Sequence, residues 1–166
     1  MPQNDEYYMD LALELARKAA GEGDIPVGAV VTDQDGNVIG EGRNRRRIEH
    51  DPTAHAEIVA IREAARRLGV WNLSGCTLYV TLEPCPMCAG ALVQSRISRL
   101  VFGCADATAG ACGTLMNVAA DGRLFHRLKI ARGVREGECR ALLQEFFIEC
   151  RRKQRQKTAA DEGLFK

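Results

Sequence analysis

The sequence predicts an α/β fold of three layers, α/β/α, with a mixed five-stranded sheet flanked by helices. Three observations carry this. Helical and strand patterns alternate along the chain. Two early β-branched runs are joined by turn chemistry, which places one antiparallel hairpin in an otherwise alternating order. The chain has 166 residues, 46% hydrophobic and 27% charged, the length and composition of one globular domain. That domain is expected over residues 1–153, with 154–166 a frayed polar tail.

From Asp5 to Ala20, Tyr8, Leu11, Ala12, Leu15, Ala16 and Ala19 recur at intervals of three and four, an amphipathic helix that Gly21 and Gly23 end. Val27 to Val31 and Asn37 to Gly42 read as strands around the turn Asp33-Gln34-Asp35-Gly36. Residues 43–52 read as a polar loop rich in arginine. Thr53 is suited to cap a helix running to Leu68, with Ile58, Ile61, Ala65 and Leu68 buried. Cys76 to Leu82 reads as the third strand. Glu83-Pro84 breaks it, and Cys85 opens a helix to about Ser95 with Pro86 at its first position and Met87, Ala91 and Leu92 turned inward. Arg99 to Gly103 is the fourth strand. A small-residue loop, Cys104 to Gly113, and a turn at Leu115-Met116 follow. Leu124 to Ile130 is expected as the fifth strand. A last helix starts near Glu136, with Cys139, Leu142, Leu143, Phe146, Phe147 and Cys150 on one face.

The formal charge of +1 excludes nothing, but its distribution is uneven. Arg43, Arg45, Arg46 and Arg47 form one basic run, and Arg151, Arg152, Lys153, Arg155 and Lys157 form another. Seven cysteines, irregularly spaced, do not make a disulfide framework, which favours a reducing cytoplasm. The polar, acidic segment from Met1 to Asp10 does not suit a signal peptide, and no apolar run reaches membrane-spanning length.

The chemistry concentrates in His55-Ala56-Glu57 and Pro84-Cys85-Pro86-Met87-Cys88. Cys85 and Cys88, three apart on a helix, share a face and can grip one ion, and the positive end of that helix favours thiolates. With His55 they make three zinc ligands, leaving one position for a water that loses a proton near neutral pH. If Thr53 caps, the capping-box position falls on Ala56, so Glu57 is not needed to close the helix end. Glu57 is then placed to take the water's proton, pass it to a substrate ring nitrogen and later protonate a leaving amine. The competing reading is a structural zinc, for which Cys76, Cys104, Cys112, Cys139 or Cys150 would have to supply a fourth ligand. Packing as small hydrophobes suits those five better. His50 and His126 have no ligand spacing and read as structural.

These motifs resemble the H-x-E…P-C-x-x-C pattern of the zinc-dependent cytidine and adenosine deaminase superfamily. A wider set is similar to the bacterial tRNA-specific adenosine deaminases. It includes Pro26-Val27-Gly28-Ala29-Val30, Asp51-Pro52-Thr53-Ala54-His55-Ala56-Glu57, Thr81-Leu82-Glu83-Pro84-Cys85, Val101-Phe102-Gly103, Asp106-Ala107, Gly110 to Met116, Phe146-Phe147 and Arg151-Arg152. The resemblance implies a cytidine deaminase-like fold, one Zn2+ per subunit, and a homodimer that converts the wobble adenosine of an arginine tRNA to inosine in the anticodon stem-loop. It implies zinc on His55, Cys85 and Cys88, proton transfer by Glu57, and substrate contacts from Asn44, Asp106, Phe147, Arg151 and Arg152. Thr108 stands where the family often has lysine. Cys104 and Cys112 replace small residues, and an extra residue precedes Gly36-Asn37.

Two other functions fit parts of this pattern. A deaminase of a free base or nucleoside, guanine or cytidine in type, needs the zinc set but has no use for the basic last helix. A zinc-stapled RNA-binding module needs the basic runs but has no use for Glu57. Without the resemblance, Asn44 and Asp106 are ordinary loop residues, and the arginine runs read either as solvated faces or, because two of them flank the metal motifs, as phosphate-binding surfaces.

Overall fold

The computed structural model describes residues 3–164. In chain order its elements are α1 (Asp5–Gly21), β1 (Gly28–Thr32), β2 (Val38–Arg43), α2 (Arg46–Glu49), α3 (Ala56–Leu68), β3 (Thr77–Leu82), α4 (Pro86–Gln94), β4 (Arg99–Cys104), β5 (Lys129–Arg132) and α5 (Glu136–Gly163). The sheet order is β2-β1-β3-β4-β5. β1 runs antiparallel to β2 and β3, whereas β3, β4 and β5 are parallel, so the sheet is mixed as expected.

Alternation along the central strands sorts the core into two layers. Ala29 and Val31, Leu78 and Val80, and Leu100 and Phe102 face α3 and α4, where Ala56, Ala60, Ala64, Ala89 and Leu92 meet them. Val30, Tyr79 and Val101 face the other side and pack on Tyr8, Met9, Ala12 and Leu13 of α1 and Cys139 of α5. The alanine stripe of α3 lies directly on β2. A Cβ at Gly42 would overlap the carbonyl of Ala56, and one at Gly40 the carbonyl of Ala60. This close approach fixes where α3 begins, and α3 begins at the site.

Several local expectations are corrected. The arginine loop contains the one-turn helix α2, closed by an Arg45–Glu49 ion pair and by His50 in the left-handed region. Thr53 does not cap α3: its N–H and hydroxyl both donate to Asp51 Oδ1, at 2.8 and 2.7 Å, and the cap position is His55. On α4 the inward residues are Cys88, Ala89, Leu92 and Val93, while Met87 is 37% exposed. β5 starts at Lys129, five residues later than expected. Phe125 in the expected strand instead lies under the Arg96 guanidinium, 4.5 Å from its ring centre, and His126 Nε2–H donates to the Ile97 carbonyl at 2.6 Å.

The last helix also exceeds its expected length. α5 continues to Gly163, through most of the stretch expected as a frayed tail. Beyond Cys150 the helix is exposed on all sides. Burial periodicity therefore gives no signal there, while Arg, Lys, Gln, Ala and Glu favour helix intrinsically. Residues 165 and 166 lie outside the described residues. No helix is long and apolar enough to cross a membrane among the described residues, and the seven cysteines are free thiols.

Candidate active site

β3 ends at Leu82, at the carboxyl edge of the parallel half of the sheet, and the chain turns through Glu83-Pro84 into α4. This edge is where open α/β sheets form clefts. Cys85 is the cap residue of α4 with Pro86 behind it, and neither it nor His55, the cap residue of α3, makes a side-chain capping bond. Both side chains are turned instead toward one point. His55 Nδ1 lies 3.7 Å from Cys85 Sγ and 3.5 Å from Cys88 Sγ. Donors at zinc–sulfur and zinc–nitrogen bond lengths in a tetrahedron are roughly 3.5 Å apart, so the three atoms fit one zinc ion.

No fourth His, Cys, Asp or Glu joins this group among the described residues. Cys76, Cys104, Cys112 and Cys139 are buried elsewhere, and Cys150 lies on α5. A closed structural site therefore lacks its fourth protein ligand, and the set is that of an open site. The Cys88 thiol, by hydrogen bonding, and the nearby His55 pull Cys85 down to about 4, and the same pairing together with burial pushes Cys88 up. The positive ends of α3 and α4 both meet here and favour the negative charge further.

Glu57, the second residue of α3, is 3% exposed. Burial raises its carboxyl from the ordinary value to about 7, which suits a group that must both take and give a proton near neutral pH. With His55 as the cap, the capping-box position is Ile58. Glu57 remains free of helix closure although the cap residue differs from the expected Thr53.

A cavity of about 190 Å³ opens on this group, lined by Asn44, Arg46, Glu57, Glu83, Cys85 and Asp106 with Ile25, Val27 and Leu82 as its apolar walls. Asn44 enters because the β1–β2 pairing places Arg43 opposite Gly28, and the Asn44 N–H donates to Val27 O at 3.2 Å. Asn44 is 5% exposed, and its Oδ1 accepts the N–H of Ala56 at 3.0 Å. The loop residue expected to touch substrate thus caps α3, leaving its Nδ2 donor for the cavity.

Asp106 also lies at the cavity, but its Oδ1 accepts from Thr108 N–H, Thr108 Oγ1–H and Ala109 N–H at 2.9, 2.8 and 3.2 Å. Its carboxylate shapes its own turn. Thr108, noted as a departure, serves that turn. Glu83 was missed at the level of sequence, where an acid before proline reads only as a strand breaker. It is 2% exposed, and it accepts Asp106 N–H at 3.2 Å and Thr114 Oγ1–H at 2.9 Å, tying the 104–114 loop to the end of β3. The walls Ile25 and Leu82 gave no site signal either, and Arg46 stood out only as a member of the basic run.

The remaining expected contacts lie apart from this cavity. Phe147, 42% exposed, and Arg151 line a separate hollow of about 430 Å³ against Cys104 and Ala105. Phe147 packs edge-on against Phe146. Arg152 pairs with Glu149 at 2.7 Å and lines neither hollow.

A family model for the cytidine and deoxycytidylate deaminase zinc-binding region matches residues 2–104. The tRNA-specific adenosine deaminase of Bacillus subtilis (strain 168) is 47% identical over 160 residues, 96% of this chain and 97% of that protein. A solved structure from studies of A-to-I editing by tRNA:A34 deaminases at the wobble position shares 42% identity and a TM-score of 0.79, over 82% of this chain and 99% of that one. The guanine deaminase of Bacillus subtilis is 39% identical with a TM-score of 0.62, over 68% of this chain and 71% of that one.

Proposed function

This chain belongs to the zinc-binding cytidine and deoxycytidylate deaminase family, and on that premise we propose that it converts the wobble adenosine of tRNA to inosine by hydrolytic deamination. The single observation that carries the reading is the three-ligand group of His55, Cys85 and Cys88 beside the buried acid Glu57. Whole-length likeness to a tRNA-specific adenosine deaminase supports the substrate.

Zinc, when bound, supplies the Lewis acidity that makes a water nucleophilic at neutral pH. His55, Cys85 and Cys88 would hold it at the edge of the cavity. Glu57 accepts the proton of the attacking water, delivers it to the purine ring nitrogen next to the reacting carbon, and carries a second proton to the amine. The water oxygen bonds to that carbon, the carbon–nitrogen bond breaks, and ammonia leaves. Asn44 Nδ2–H, held by the Ala56 bond, donates to the base in the cavity, and Ile25, Val27 and Leu82 exclude bulk water. Asp106, Phe147, Arg151 and Arg152 meet the flanking nucleotides; the turn at Asp106 offers shape, the arginines offer phosphate contacts.

In finer detail, the substrate is an arginine tRNA, the working form is a homodimer, and the enzyme acts in the cytoplasm where tRNA is found. The test is incubation of zinc-loaded protein with an anticodon stem-loop carrying a wobble adenosine; inosine is the expected product, and its absence from a zinc-replete sample defeats the reading. Likeness to a guanine deaminase favours one alternative, a free-base deaminase. Guanine and free nucleosides run in the same assay decide between them, since turnover of these alone would establish the alternative.

A further inference from the structure

The two basic runs, separated by a hundred residues, meet in space. The active-site cavity shares Ile25 and Arg46 with a second hollow of about 380 Å³, and this shares Arg47 with a third of about 360 Å³ lined by Lys153 and Lys157 of α5. The three hollows adjoin through these shared side chains and together form a trough across the surface. It leads from the reacting centre, past α2, to the distal half of α5.

Ion pairing decides which cations serve it. Arg43 is held by Glu22 at 2.7 Å and Arg45 by Glu49 at 2.6 Å. Arg46 makes no ion pair among the described residues, and Arg47 donates to the Gly23 carbonyl at 3.0 Å while the rest of its fork stays exposed. Beyond the active-site cavity with its Glu57, Glu83 and Asp106, the one acid lining the two outer hollows, Asp24, is 2% exposed and already accepts the N–H groups of Ile25 and Arg47, at 2.8 and 3.0 Å. On α5, Glu149 holds Arg152 at 2.7 Å and reaches Lys153 only at 3.8 Å. Lys157 pairs with no acid among the described residues. Lys153 and Lys157, one helical turn and about 6 Å apart along the axis, share the face turned to Arg47.

We propose that this trough is a phosphate rail: Arg46, Arg47, Lys153 and Lys157 bind the sugar–phosphate backbone of the stem strand that adjoins the reacting base. The inference rests on the reading that the substrate is a structured RNA. It assigns the stem to the α2–α5 face, where the exposed end of α5 sets two lysines at a spacing close to that of successive phosphates. Such contacts position the substrate and carry no sequence information.

The test is anisotropy titration of zinc-loaded, full-length protein over a range of salt, with two RNAs: the anticodon stem-loop and the stemless loop oligomer. Lys153→Gln/Lys157→Gln and Arg47→Gln are compared with wild type, with Arg67→Gln at the far end of α3 as a reference cation. For the stem-loop, each removed rail cation is expected to lower the slope of log K against log salt by about 0.7–0.9 and to weaken binding about threefold to tenfold. For the stemless oligomer the two variants and wild type should give one slope. Unchanged stem-loop slopes in both variants, or an equal loss in Arg67→Gln, overturn the rail. Inosine formation by the wild type is scored separately: slopes that shift without inosine defeat the proposed function and leave the rail standing, whereas inosine without slope shifts defeats the rail alone.

Discussion

Asn44 Oδ1 accepts the N–H of Ala56 at 3.0 Å, so a residue just past β2 caps the helix that carries Glu57. His55 occupies the cap position but is turned to the metal group, and a side chain twelve residues upstream supplies the missing acceptor. Capping, and under the proposed function substrate binding, therefore fall on the two ends of one amide. Asn44→Asp keeps an acceptor and removes the donor, whereas Asn44→Ala removes both. The alanine variant should lose about 1 kcal/mol of unfolding free energy. The aspartate variant should unfold close to wild type yet fall at least about tenfold in kcat/KM. Equal losses of stability in the two variants would contradict the division of labour.

Glu57→Gln separates chemistry from metal binding. The variant should retain zinc by elemental analysis and fall about a hundredfold or more in single-turnover rate. A second consequence concerns the zinc-stripped protein. Burial raises the Glu57 carboxyl from 4.5 to about 7, so the folded state holds its proton where the unfolded state has released it. The buried acid then costs stability progressively as pH rises from 4.5 toward 7, and the cost is constant above that. Glu57→Gln should flatten this limb of a stability–pH curve measured by denaturant unfolding.

Metal removal should be reversible in activity. Prolonged chelation should abolish deamination and lower the midpoint of thermal unfolding, because three side chains from two helices lose their common partner, and zinc should restore both. His55→Ala should behave as the stripped enzyme and not respond to added zinc.

Glu83 holds the loop that walls the cavity. Glu83→Ala leaves the Asp106 N–H and the Thr114 hydroxyl without their acceptor, at a cost of about 1–3 kcal/mol. Glu83→Gln retains an acceptor oxygen. It should recover most of the stability and raise KM for the stem-loop more than it lowers kcat. Proteolysis in the 104–114 loop, faster in the alanine variant, reads the loosening directly.

Far from the site, Asp5 receives both guanidinium nitrogens of Arg99 at 2.7 Å and the Tyr79 hydroxyl at 3.1 Å, which ties α1 to β3 and β4. The Arg99 hydrogen bonds hold the Asp5 carboxyl below its ordinary value of 3.8. Its contribution is therefore present above pH 3.8 and lost as pH falls through the lower folded value. Asp5→Asn should be less stable at neutral pH and show a shallower acid limb in unfolding curves.

The layered fold, the clustering of His55 with Cys85 and Cys88 and the nearness of Glu57 to them were legible in consecutive residues. Each rests on local spacing: alternation in β1, β3 and β4, the three-residue step from Cys85 to Cys88, and the short step from His55 to Glu57. Period and spacing are properties of consecutive residues, so they can be read without knowing what lies opposite. The start of β5 and the reach of α5 were misjudged because Phe125 and the exposed turns past Cys150 are governed by a cation–π contact and by helix propensity, not by burial period.

The remainder depended on contacts between distant segments. They capped α3 with Asn44 and not Thr53, gave Glu83 the 104–114 loop to hold, and assigned Arg43, Arg45 and Arg152 to acids while leaving the side chains of Arg46, Arg47 and Lys157 without an acid partner among the described residues. Hydrogen-bond and ion-pair partners are chosen by distance in space, and side chains far apart in the chain compete for the same acceptor. That competition is settled only when β2, α2 and α5 are set against one another.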